Sequence, residues 1–457
     1  MKSRAITQAM GERVDVVVVG AGLSGLCAAR KLSRGGVSVA VVEARDRVGG
    51  RTWSREIGNG VFDLGGQWVG PDQKRVLALI DELKIQTFPT YCEGKKVLEL
   101  DGKVSTYKRS IPSMSIPHLI QLTGALSYLK RVRQRVSPAA PMGAEGAKEL
   151  DAETLETWRS RFVKSSKVSG VMDAAIRTIF GAEAKDLSAL YFLMYLSAGG
   201  GLLKLSEIEG GAQQDRLIGG AQPLSQAIAK ELGNGVRLGA PVRRLVQGPD
   251  GVDAITDQGT VGGRYAVVAV PPALAGRIEY EPTLSVGRDQ VTQRFAMGST
   301  VKVLVTYEFP FWRKAGFSGE VVSSEGPLST VFDNTSHDGG QAALVGFVVG
   351  AQARQWSVQP LADRQRRVIS ALVRYFGHDA NHFTDYHELD WGMEPWSHGC
   401  PVGGLPPGVL THSAAHLRKP EGRIHWAGTE AATEWMGYME GAIESGERAA
   451  EEVLRRI

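Results

Sequence analysis

The order of apolar and polar positions divides the chain into recognisable elements. Residues 14–19 are five β-branched residues interrupted by Asp15, the near-continuous apolar run of a parallel strand buried on both faces. That run passes straight into Gly20-Ala-Gly22-Leu-Ser24-Gly25, and the spacing predicts a helix over Leu23–Arg34, closed by Gly35-Gly36, and a second strand over 37–42. Residues 61–70 read as a strand entering another glycine turn. A polar hairpin over 98–108 precedes predicted helices over 116–136 and 151–171, with the Pro-, Ala- and Gly-rich stretch 137–146 as the loop between them. Residues 187–198 are apolar nearly all round and predict a buried helix. Further along, 236–246 predicts a strand pair, 265–270 a buried strand stopped by Pro271-Pro272, and 301–307 an alternating strand. Strands follow over 317–350 and 385–391, and the chain closes with a strand at 424, a glycine turn and a long amphipathic helix over 437–455. No internal repeat is visible.

The first of these units carries chemistry. Gly20 permits a tight strand-to-helix turn, Gly22 leaves room for a pyrophosphate against the backbone, and Gly25 lets the helix pack close to the strand. Gly20, Gly22, Ser24 and Gly25 are therefore cofactor-binding candidates, with the helix N-terminus turned to the phosphate. Glu43, ending the second strand, stands where a carboxylate accepts two ribose hydroxyls and repels a 2′-phosphate, which disfavours NADP. NAD and FAD both remain open on these residues alone.

The continuation Glu43-Ala-Arg45-Asp-Arg-Val-Gly-Gly50-Arg51 resembles the fingerprint of the flavin monoamine oxidase family, which includes soluble bacterial monoamine and putrescine oxidases. The resemblance spans residue 14 to about residue 454. It implies an α/β fold: a Rossmann-like FAD domain in three blocks (12–88, 211–297 and 391–457) and an inserted α+β substrate domain (89–210 and 298–390). Arg45 and Arg51 neutralise phosphate charge in this reading, while Gly49-Gly50 exposes backbone donors.

Composition narrows the field without changing it. The chain has 457 residues, 43% hydrophobic and 22% charged, long enough for two or three domains. Its net charge of +4, with no basic stripe interleaved with aromatics, gives no sign of a nucleic-acid partner. The basic run 130–135 reads as a solvated helix face. Cys27, Cys92 and Cys400 form neither metal-ligand spacing nor a paired framework, so no metal site is expected and a reducing compartment is. The first fourteen residues lack the apolar core of a signal peptide and read as a tail, and no long apolar run suggests a transmembrane anchor. A cytoplasmic protein follows, with a homodimer as a family expectation.

The same resemblance assigns the rest of the site. Gly66 and Gln67 approach the flavin and Trp68 walls the substrate cavity, although Trp68 read alone serves equally as a core aromatic. Gln213 lines the cavity, Val242 offers a backbone group to adenine, and Trp391, Gly428, Thr429 and Met439 are further cofactor contacts. Lys302, in Gly298-Ser-Thr-Val-Lys302, matches the lysine that holds a water near flavin N5 and assists reoxidation; an edge or snorkelling lysine is the alternative. Cys400 matches the cysteine bonded through sulfur to the flavin in monoamine oxidases, with a buried free thiol as the other reading. Tyr438 matches one ring of the family's aromatic cage. Pro401 replaces the other, which widens the slot. Thr178, Ile179, Leu205, Pro401 and Glu320 complete the cavity. The implied partners are a small amine and O₂, and the implied reaction converts amine to imine and then aldehyde, with peroxide as by-product. Two other readings stay open: a diamine oxidase, for which Glu320 is the distal carboxylate, and a dehydrogenase of an N-heterocyclic amine using another acceptor.

Overall fold

The strand Glu12–Val19 lies between Val39–Val42 and Gly259–Val268 and pairs in parallel with both, which is why its C-terminal valines are buried on each face. The computed structural model describes residues 12–108 and 114–457. The tail expected over the first residues falls, up to residue 11, outside the described part. Among the described residues the first sheet runs in the order Val236–Arg237, Val39–Val42, Glu12–Val19, Gly259–Val268, Gly251–Thr256, Val242–Gly248, Glu279–Glu281, with Ile424–Trp426 also laid against Gly259–Val268. Helix Leu23–Arg34 packs on it beside the C-terminal helix Met439–Leu454.

The expected strand pair over 236–246 does not form. Val236–Arg237 extends the parallel sheet beside Val41 and Val42, whereas Val242–Gly248 turns back on Gly251–Thr256. A hairpin between them would need a tight turn at 238–241. There the Gly239 and Ala240 amides instead donate to the carbonyls of Arg45 and Glu43, each at 2.7 Å.

A second sheet runs Phe383–Asp390, Thr300–Tyr307, Ala342–Val349, Thr330–Asp333, Phe317–Ser323, Lys95–Leu100, Lys103–Tyr107. Thr300–Tyr307 is buried at every position instead of alternating, because both its faces are covered. Val301, Val303, Val305 and Tyr307 pack against the amphipathic helix Leu361–Phe376, which leaves Lys302 on the opposite face.

The helical block departs from expectation once more. In place of one helix over 151–171 there are Ala147–Asp151, Leu155–Arg159 and Ser166–Phe180. The breaks are made by polar side chains that compete with the helix backbone. Thr154 and Ser165 cap the later two segments by accepting the Thr157 and Val168 amides, and buried Asp151 accepts the Ser188 hydroxyl and the Thr411 amide. No helix among the described residues is long and apolar enough to cross a membrane.

Candidate active site

Both sheets, the glycine turns and the helical block face one continuous cavity. Its first section is walled by bare backbone. A side chain at Gly22 would meet only the Gly50 Cα, at 3.9 Å, and one at Gly66 only the Thr52 methyl, at 3.9 Å. Both glycines line the cavity, so their missing side chains keep a channel open between the two glycine turns. Gly25 does not line it. A Cβ there would stand 2.0 Å from the Gly20 carbonyl oxygen, so this glycine serves the close helix packing.

The helices Leu23–Arg34 and Met439–Leu454 both start at this channel, and neither has a side-chain cap. Their first amides and positive dipole ends are left for an anionic or carbonyl group. Ser24 ties the two together: its hydroxyl accepts the Gly428 amide at 2.9 Å and meets the Ser445 hydroxyl at 3.1 Å. Glu43 accepts the Ala21 and Arg45 amides at 2.7 and 3.0 Å, which fixes its carboxylate while leaving acceptor capacity at the cavity. Arg45 is held by Glu394 and Ser397. Arg51 makes a two-pronged pair with Glu430, at 2.5 and 2.9 Å, and donates to the Pro401 carbonyl. Burial opposes the Arg51 charge, yet the Glu430 carboxylate outweighs it and leaves the pKa raised. A long channel with glycine walls, two uncapped helix ends, two arginines and a ribose-type acid fits FAD.

Val242 is the one cofactor candidate with no packing or lining part in the channel. It opens the strand Val242–Gly248 and packs beside the core of the first sheet.

At the junction of the two sheets Lys302 donates to the Gly65 carbonyl at 2.8 Å and to Gln67 Oε1, and Gln67 in turn donates to Asn334 Oδ1 at 2.8 Å. Burial, with Arg216 adding to it, brings the lysine down to about 7 against the pull of Asp63. Trp68 lies 5.7 Å from the amine and edge-on to Phe332; its indole N–H has no partner among the described residues. Trp391 donates to the Leu64 carbonyl. Cys400 lines the cavity with its thiol pushed up to about 12 by burial, against the lowering effect of Arg51 and Lys302.

Beyond Lys302 the lining becomes mainly apolar, with Glu207 and Glu320 as its charged members. Leu205 offers one carbonyl to two groups, the Gln213 amide N–H at 3.0 Å and the Tyr438 hydroxyl at 3.1 Å. That anchoring leaves Gln213 Oε1 buried and without a donor among the described residues. Thr178, Ile179, Pro401 and Glu320 also line this section. Several lining residues went unread in the sequence. Tyr195 was concealed within an all-apolar helix, and Glu207 and Tyr107 had no motif around them. Glu430 does not line the cavity, but an acid between the glycine turn and a small-residue stretch was a readable sign of a buried ion pair.

The chain matches the family described as flavin containing amine oxidoreductase over residues 23–454. It is 41% identical over 451 residues, 98% of this chain and 99% of the relative, to the probable flavin-containing monoamine oxidase A of Dictyostelium discoideum. Among solved structures it resembles cyclohexylamine oxidase from Brevibacterium oxydans, with a TM-score of 0.93 and 33% identity over 97% of this chain and 99% of that one. It also resembles putrescine oxidase bound to putrescine, with a TM-score of 0.94 and 32% identity over 97% of this chain and 99% of that one. Family, relatives, fold and a channel fitted to FAD agree, and the chain belongs to the flavin-containing amine oxidases.

Proposed function

We propose that this amine oxidase takes a primary or secondary amine on an uncharged, apolar tail, and that O₂ accepts the electrons as hydrogen peroxide. The observation that carries the reading is Gln213. Its Oε1 is a buried acceptor without a donor among the described residues, set beside the Tyr438 ring and followed by a mainly apolar lining. An unfilled acceptor there costs roughly 1–3 kcal/mol, which an amine N–H would recover. Leu122, Leu126, Val171, Met172 and Phe347 receive the tail.

When bound, FAD supplies the two-electron acceptor beside these residues. Glu43 would hold its ribose, Arg45 and the two helix ends its pyrophosphate and ring edge, and Cys400 its ring through sulfur. Gln213 orients the amine nitrogen. The Tyr438 hydroxyl is committed to Leu205, so its ring is fixed as one wall, and with Pro401 opposite the slot is open enough for a branched α-carbon. The apolar lining favours the uncharged amine, the form that can give up hydride equivalents. Apart from the pair Pro89–Asp215 at a block boundary, the strand ladders among the described residues stay within either 12–88, 211–297 and 391–457 or 89–210 and 298–390, which supports that division into a cofactor and a substrate domain. Three unpaired cysteines support a cytoplasmic setting.

Anaerobic titration of the holoenzyme tests the reading. Hexylamine, benzylamine or cyclohexylamine should bleach the visible flavin band, and amino acids should not. No bleaching by any amine would overturn it. Acid precipitation tests the attachment: the flavin should stay with the wild-type pellet and appear in the supernatant for Cys400→Ala. Release from both would show that Cys400 forms no bond.

A further inference from the structure

The end of the cavity remote from Lys302 carries charge that amine oxidation does not use. Glu320 and Glu207 both line it, and Lys96 stands with its Nζ 2.9 Å from a Glu320 oxygen and 3.6 Å from a Glu207 oxygen. Sheet register explains the placement. Lys302 pairs with Phe347, Phe347 with Thr330 and Thr330 with Val322, so one row crosses from Thr300–Tyr307 to Phe317–Ser323 on the cavity face. Glu320, two residues from Val322, shares that face. Three inter-strand steps of about 4.8 Å put it roughly 14 Å across the sheet from Lys302. On the next strand Lys96 lies beside Glu320 and pairs with Tyr107, another lining residue.

Glu320 and Lys96 are each 8% exposed, and apolar Leu122, Leu126, Val171 and Met172 line the same section. Burial pushes the Glu320 carboxyl up even beside the lysine, whereas Glu320 and Glu207 together keep the Lys96 amine charged against its own burial. The cation therefore stands fixed behind the cavity wall, against the two carboxylates that line it.

Resting on the amine-oxidase reading, we propose that Lys96 is a specificity-determining residue. Its ammonium takes the position that a second positive charge on the substrate would need against Glu320 and Glu207, so the cavity accepts amines with uncharged tails and rejects diamines. An ammonium tail arriving there meets a like charge in a medium that screens weakly, and both carboxylates it would seek, Glu320 and Glu207, already face Lys96. An alkyl tail meets only the lost cost of leaving that section empty.

The test compares kcat/KM of the holoenzyme for hexylamine and for 1,6-diaminohexane, equal in length and different in tail charge. Wild type should favour hexylamine by at least tenfold. Lys96→Met keeps the side-chain length and removes the charge. It should raise the diamine-to-monoamine ratio at least tenfold, mainly through the diamine KM, and Lys96→Met/Glu320→Gln should lose most of that rise. Wild type turning over the diamine as well as the monoamine would overturn the proposal without any variant. So would an unchanged ratio in Lys96→Met, or a rise fully retained in the double variant, which would trace to lost bulk. Hexylamine inert toward wild type would instead refute the underlying reading, and the proposal with it.

Discussion

Lys302→Met should slow reoxidation of the reduced holoenzyme by O₂ roughly 100-fold, the usual cost of removing one preorganised electrostatic donor, while leaving anaerobic reduction by amine within a few-fold of wild type. Stopped-flow measurement of the two half-reactions separates the effects. The reasoning is electrostatic: O₂ gains negative charge as it accepts electrons, and Lys302 is the buried group at the junction that can carry a compensating proton. With the lysine brought to about 7, its ammonium fraction falls as pH rises through that value. Wild-type reoxidation should therefore be faster below pH 7 than above it, and the Met variant should show no such step. Equal reoxidation rates in the two proteins would remove Lys302 from this role.

The same shift has a consequence for stability. In the unfolded chain the lysine titrates near its ordinary 10.5, in the folded apoprotein near about 7. Between those values the unfolded state binds more protons, so stability rises with pH across that window, and the full penalty applies below about 7. Lys302→Met should accordingly stabilise the apoprotein most at pH 6, with the gain fading toward pH 10, as read from urea midpoints.

Arg51→Ala should have the largest structural cost. The Glu430 side chain is fully out of solvent, and its charge is answered by the two-pronged contact with Arg51. Deleting one partner of such a pair leaves an uncompensated buried charge and costs about 3–5 kcal/mol. The purified variant should carry less than a tenth of the wild-type flavin and unfold at a clearly lower urea concentration as apoprotein. Arg51→Ala/Glu430→Gln provides the control. Neutralising the orphaned acid should recover much of the apoprotein stability, but not the flavin, because the cation at the channel is still missing. Recovery of both would mean that Arg51 acts only by holding Glu430.

Local rules carried the sequence reading a long way where neighbouring residues decide the outcome. The helix Leu23–Arg34 has its expected bounds because a glycine turn starts it and Gly35-Gly36 ends it. The second strand, the hairpin and the C-terminal helix lie within a few residues of expectation for the same reason. Expectation failed where distant segments compete for a backbone group. Asp151 ends a helix by accepting bonds from Ser188 and Thr411, and the loop 238–241 is drawn aside by residues 43–45. Val242 opens a strand paired with Gly251–Thr256 and does not line the channel, a placement set by strand order, which periodicity does not encode.

By itself the sequence determined the nucleotide-binding unit and the glycines that must be bare, and its resemblance to a family implied the flavin and the class of reaction. The unit and its glycines are properties of contiguous residues, written in spacing and in backbone conformations that few side chains permit. Only the tertiary structure decided which charges meet. Lys96 and Glu320 are more than two hundred residues apart, as are Lys302 and Gln67. Whether such a lysine is an idle surface group or the cation of a buried cavity depends on which strands lie side by side. That choice is made by long-range packing, and it sets the local dielectric and hence the charge that a substrate meets.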